Sequence, residues 1–210
     1  MLGRGRKPTS EQSPRLEVAV GLLFDLIQRD ESELTPHHRD WAGVSKAQAL
    51  QQLHSARVFS HAQVGPFVIT QLGAGRARSR GNHHVQVNYS TGAGVKEWAG
   101  IVQVLVRVTH PQHTDASPKQ ALRLALVQFY RYITPPDGSR YLLGRTLDQQ
   151  WYPVQLQKVV RKLAVATELD SAGNARLFFL KYRGVGFGWH INDVAAALTG
   201  NQPGQEGGQA

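Results

Sequence analysis

The side chains with the clearest chemistry are cationic. Arg4, Arg6 and Lys7 stand together near one end of the sequence, Arg76, Arg78 and Arg80 alternate with small residues, and neither group contains an acidic residue. Cations at that density suit phosphate oxygens, which ask for charge and hydrogen-bond donors without regard to base sequence. These six account for most of the net charge of +9. With a pI near 10.2 they make an anionic partner the first expectation, nucleic acid ahead of an acidic protein or a membrane surface. A second group is aromatic. Tyr89, Trp98, Phe129 and Tyr130 fall in apolar, strand-like segments, where a ring face serves equally to pack a core or to wall a pocket for a cation.

Other chemistries find little support. Without cysteine there is no disulfide, iron–sulfur cluster, thiolate zinc site or thiol nucleophile. His37-His38 and His83-His84 are adjacent pairs, and side chains of sequence neighbours usually point apart; His110 with His113 has only Asp115 nearby as a further ligand, so no metal or cofactor is expected. There is no Gly-x-Ser-x-Gly elbow, and the carboxylates are scattered without an acid/base pair. Gly184-Val-Gly-Phe-Gly188 lacks the lysine and the following helix of a phosphate loop. The chain therefore reads as non-catalytic. No apolar run approaches the roughly 18 residues that span a bilayer, and polar residues follow the basic Met1–Pro8 stretch where a signal core would be. A nuclear location is expected, with the cytoplasm as the alternative.

The elements that must position these residues change character along the chain. Residues 1–14 are rich in Gly, Pro, Ser and charge and read as a disordered basic tail. Residues 15–72 form a helical segment with one short strand. Val18, Leu22, Leu23, Leu26 and Ile27 give a helix over 16–28, and Ser45 caps a second over 45–54. Residues 30–40, interrupted by Pro36, read as a loop, and residues 64–72 as a strand or extended arm. Residues 73–81 are a Gly/Arg linker. From His83 the apolar period becomes two, and turns near 90–94, 109–119, 135–138 and 171–174 separate five or six strands over 82–183. The fold class read from this is α+β, an N-terminal helical segment followed by a small antiparallel β-barrel, a closure that hides strand edges. Residues 184–210 read as a short helix and a disordered tail.

Within that segment, Lys96-Glu97-Trp98-Ala99-Gly100-Ile101-Val102 resembles the Trp-x-small-x-Val strand of the Tudor and PWWP chromatin barrels. The wider order, with Tyr152-Pro153-Val154 before a late strand, is similar to bromo-adjacent homology (BAH) domains, including BAH-like modules attached to transposon-derived proteins of algae and fungi. In the Tudor and PWWP families aromatic side chains at one barrel mouth cage a methylated lysine or arginine. The resemblance implies Trp98 as the strand aromatic, with Tyr89 and Phe129 or Tyr130 as further walls; Ala99 stands where those families often carry a second aromatic. Core packing is the other reading of the same residues. Gly3-Arg4-Gly5-Arg6-Lys7-Pro8 is similar to the AT-hook, which lies in the minor groove of A·T-rich DNA, although Lys7 separates Arg6 from Pro8. The leading expectation is a chromatin or nucleic-acid-associated binding module; the alternatives are a peptide-binding adaptor, with a histone tail as one ligand, and an inactive transposon-derived remnant.

Overall fold

Helix α1 (Gln12–Arg29) starts inside the stretch expected to be a disordered tail. The reason is local: the Thr9 backbone N–H donates to Gln12 Oε1 at 3.1 Å and the Gln12 N–H donates to Thr9 Oγ1 at 3.2 Å, the reciprocal pattern of a capping box. From there Leu16, Ala19, Val20, Leu23, Phe24 and Ile27 are buried along one stripe. The computed structural model that shows this describes residues 5–72, 83–91, 94–112, 121–133, 141–147, 149–169 and 175–180; for 89–91, 94–97, 131–133, 141–147, 164–169 and 175–180 it describes the backbone alone.

Residues 30–40, expected as a loop, contain two 3₁₀ stretches, Glu31–Glu33 and Pro36–Trp41. Asp30 Oδ1 accepts the Ser32 N–H at 2.9 Å to start the first, and Pro36, which lacks the N–H that a first turn leaves unbonded, starts the second. Their product is Trp41, fully buried, its ring 5.9 Å from Phe24 and edge-on to His110 at 5.0 Å. Helix α2 (Lys46–Gln51) is capped by Ser45 as its sequence predicts: Ser45 Oγ accepts from Gln48 N–H and Gln48 Oε1 accepts from Ser45 N–H. The expected second helix ends earlier than read, its last turn being the 3₁₀ stretch Gln52–Ser55.

The chain is α+β, and its strands pair antiparallel throughout the described residues. The strands are β1 (Arg57–Phe59), β2 (His61–Val64), β3 (Phe67–Thr70), β4 (His84–Thr91), β5 (Gly94–Val108), β6 (Leu122–Ile133), β7 (Tyr141–Leu147), β8 (Tyr152–Gln155), β9 (Val159–Lys162), β10 (Ala164–Leu169) and β11 (Ala175–Leu180). Strand β1 is invisible to the periodicity argument, being three residues long. Residues 64–72, expected as a strand or extended arm, are the end of a hairpin: Gly65, at φ 52, and Pro66 connect β2 to β3. A positive φ followed by proline's fixed negative one suits the right-handed twist of a two-residue hairpin.

A nine-stranded sheet runs β10-β11-β7-β6-β5-β4-β9, with β1 added to β5 and β8 to β6. Alternation along the central strands divides the apolar side chains between two faces. On the first, Val104, Val106 and Val108 of β5 and Leu122, Leu124 and Leu126 of β6 meet α1, Trp41 and Ala49. On the second, Val85 and Val87 of β4, Val102 and Leu105 of β5, Ala125, Val127 and Phe129 of β6, and Val154 of β8 pack with Phe59, Ala62 and Ile69. A bulge between Val102 and Val104 keeps β5 serving both faces along its 15 residues. Gly100 is required on the second face, because a Cβ there would lie 2.5 Å from Val127 Cγ1 and 2.7 Å from the Gln128 carbonyl oxygen.

Candidate nucleic-acid interface

Of the two basic clusters read from sequence, Arg4, Arg76, Arg78 and Arg80 lie outside the described residues. Arg6 and Lys7 are exposed, and their backbone has a fixed place. The Arg6 N–H donates to the Val58 carbonyl at 2.9 Å and accepts, through its own carbonyl, the Val58 N–H at 2.7 Å. That bridge joins the segment to the free side of β1. Gly5 makes the approach possible: a Cβ at that position would lie 2.9 Å from both Arg57 Cβ and Phe59 Cζ. The described part of the stretch resembling an AT-hook thus lies against a sheet edge, with the Arg6 N–H engaged and the Arg6 and Lys7 side chains exposed.

Beside it stands a group the sequence reading missed. Arg57 pairs with Arg107 across β1 and β5, and Arg107 pairs with Arg123 across β5 and β6. All three fall on the second face, since Phe59, Leu105 and Ala125, two residues along each strand, belong to that face's core. Each is half-buried. Like charges directly opposite one another on adjacent strands are destabilising. Arg57 Nη1 donates to the Ala56 carbonyl at 3.3 Å, and the Arg107 guanidinium lies over the Phe59 ring, 5.6 Å from its centroid. Among the described residues neither Arg57 nor Arg107 has a carboxylate within ion-pair distance, in contrast to Lys46, paired with Asp25, and Lys158, paired with Glu33. The positions are 50 and 16 residues apart in sequence (107 − 57 and 123 − 107), so only register brings them together. The available signal was an arginine interrupting otherwise apolar runs, Val-Leu-Val-Arg-Val and Leu-Arg-Leu.

The aromatic candidates separate. Trp98 and Phe129 share the second face, ring centroids 5.8 Å apart, and Tyr152 of β8 extends the row at 5.3 Å from Phe129. Phe129 is buried, whereas Trp98 and Tyr152 are half-buried. Tyr130, the next residue, points to the opposite face as strand alternation requires. Its hydroxyl is 3.0 Å from His84 Nδ1, and the two rings stack. Phe129 and Tyr130 therefore do not line one pocket. Tyr89 is described by its backbone, opposite Lys96. Burial pushes the Tyr130 hydroxyl well above its ordinary pKa, and burial, helped by the neighbouring His83, pulls His84 down to about 4.

The helix side of the sheet holds a second buried polar group. Gln155 Oε1 is 2.9 Å from His38 Nδ1 and accepts from the Thr35 N–H and hydroxyl, while Gln155 Nε2 donates to the Glu33 carbonyl. His38 Nε2 accepts the Arg123 N–H at 3.3 Å. Burial lowers the His38 pKa. Lys158 is paired with Glu33. Where α1 crosses the sheet, an open groove of about 460 Å³ is lined by Pro14, Arg15, Val18, Gln128 and Trp151, with the Arg15 guanidinium 4.5 Å over the Trp151 ring. Among the described residues no three His, Asp or Glu gather as a metal-binding set, and no helix is long and apolar enough to cross a membrane. Compared with known proteins, the chain matches no family model, no curated protein and no solved structure.

Proposed function

We propose that the protein is a non-catalytic, nucleic-acid-associated binding module of the chromatin-barrel kind, contacting DNA or RNA through phosphate and without strong sequence preference. The observation that carries this reading is the tethering of Arg6 and Lys7, exposed, along the edge of β1. A basic segment that is already ordered loses less conformational entropy on binding than a free tail does. The net charge of +9 supports the same partner. The barrel part of the reading rests on chain order: β9 and β10, the two ends of the hydrogen-bonded path, are consecutive strands separated only by Leu163. A single stretch that pairs with β4 and then with β11 draws the sheet's ends together.

The test is a fluorescence-anisotropy titration of labelled duplex and single-stranded oligonucleotides with the full chain between about 50 and 200 mM salt. Affinity is expected to fall steeply with salt and to vary little with sequence. The Arg6→Ala/Lys7→Ala variant is expected to lower the logarithmic salt slope by about 2, one for each lost phosphate contact. Absence of binding at the lowest salt removes the proposal.

A further inference from the structure

We infer that Arg57, Arg107 and Arg123 form a phosphate-binding row, the fixed part of the interface, onto which a nucleic-acid backbone passes from Lys7. The inference rests on the reading above for the identity of the polymer, and on its own geometry for the anion.

Three adjacent strands in register present three arginines on one face. Neighbouring strands are about 4.8 Å apart, so the row spans about 10 Å, enough for more than one phosphate. The residues next in line on that face, Phe59, Leu105 and Ala125, are apolar and buried. Cations set at the end of such a face lose part of their hydration and keep their mutual repulsion, which an anion bound between them relieves. Arg57 and Arg107 meet no carboxylate among the described residues. Guanidinium suits phosphate better than ammonium does, because its planar fork donates two parallel hydrogen bonds. Arg107 is held over Phe59, which leaves the edge of its fork for a ligand. The Gly5 contact with Arg57 and Phe59 brings the segment that carries the exposed Lys7 to the outer end of the same row, whereas Arg6, bridged to Val58, falls on the helix-covered face.

Two measurements test the row. In the unaltered protein, the arginine Nε–Hε resonances are followed by NMR during a titration with inorganic pyrophosphate. Saturable shifts at Arg57 and Arg107 support the site, whatever the polymer; unchanged resonances, or shifts confined to Arg6 and other surface arginines, overturn it. In the anisotropy titration, Arg57→Gln/Arg107→Gln is expected to reduce the salt slope by about 2 for every sequence tested. Arg57→Lys/Arg107→Lys, which keeps the charge and the covering of Phe59, is expected to restore the slope while leaving affinity below that of the unaltered chain. If the glutamine variant binds DNA with the original slope while Arg6→Ala/Lys7→Ala does not, the row is excluded and the nucleic-acid reading stands. If pyrophosphate shifts Arg57 and Arg107 but no oligonucleotide binds, the row stands and the nucleic-acid reading falls.

Discussion

The two faces of the sheet solve the problem of burial differently. The first is sealed by α1, Trp41 and α2, and its buried polar groups are neutral and mutually satisfied: Gln155 serves His38, Thr35 and Glu33, and Tyr130 meets His84. The second has an apolar centre that includes the β2–β3 hairpin, but its ends are less completely buried. One end carries the arginine row, and the other carries the half-buried Trp98 and Tyr152 on either side of Phe129. The difference separates the work: the helix-covered face stabilises, and the margins of the other face remain for a ligand.

Three experiments break or sharpen this contrast. The largest effect is expected from Trp41→Ala on the sealed face, where a fully buried ring touches both Phe24 and His110; loss of such a ring costs about 3–5 kcal/mol, read as a lower midpoint in chemical denaturation. A cost under about 1 kcal/mol would mean that the helices do not seal the sheet. On the second face, Gly100→Ala is expected to cost about 1–3 kcal/mol, since its Cβ meets a backbone oxygen that cannot rotate away. An unchanged midpoint would show that β5 and β6 lie further apart there than described.

The smallest effect is one of slope. His38 and His84 have folded-state pKa values below the ordinary 6.5, so the unfolded chain takes up protons first. Stability is therefore full above about 6.5, declines as pH falls, and for His84 levels off near 4. Each histidine contributes at most about 1.4 kcal/mol per pH unit. His84→Gln is expected to flatten the acid limb of stability against pH between 4 and 6.5, and an unaltered limb would show that the imidazole is not held neutral.

Much of this was legible in the sequence, and the gaps have physical causes. Period-two alternation from His83 onward marks β4, β5 and β6, and Ser45 marks the start of α2, because both signals are local. The Thr9–Gln12 box was equally local but was hidden by the basic, Pro-containing composition around it. Strand β1 owes its existence to pairing with β5 and not to its own three residues. Alternation already places Phe129 and Tyr130 on opposite faces, so half of the aromatic grouping was decided by two adjacent numbers. The arginine row was not legible in that way. Its members join through a pairing register, which is a property of two distant segments together.

That register carries a consequence in time. Arg107 and Arg123 meet when a short connection closes between neighbouring strands, whereas Arg57 lies 50 positions from Arg107 (107 − 57) and reaches it only by a longer closure. Closing the longer loop costs more entropy and comes later on average. The third cation thus depends on the longer of the two closures that build the row.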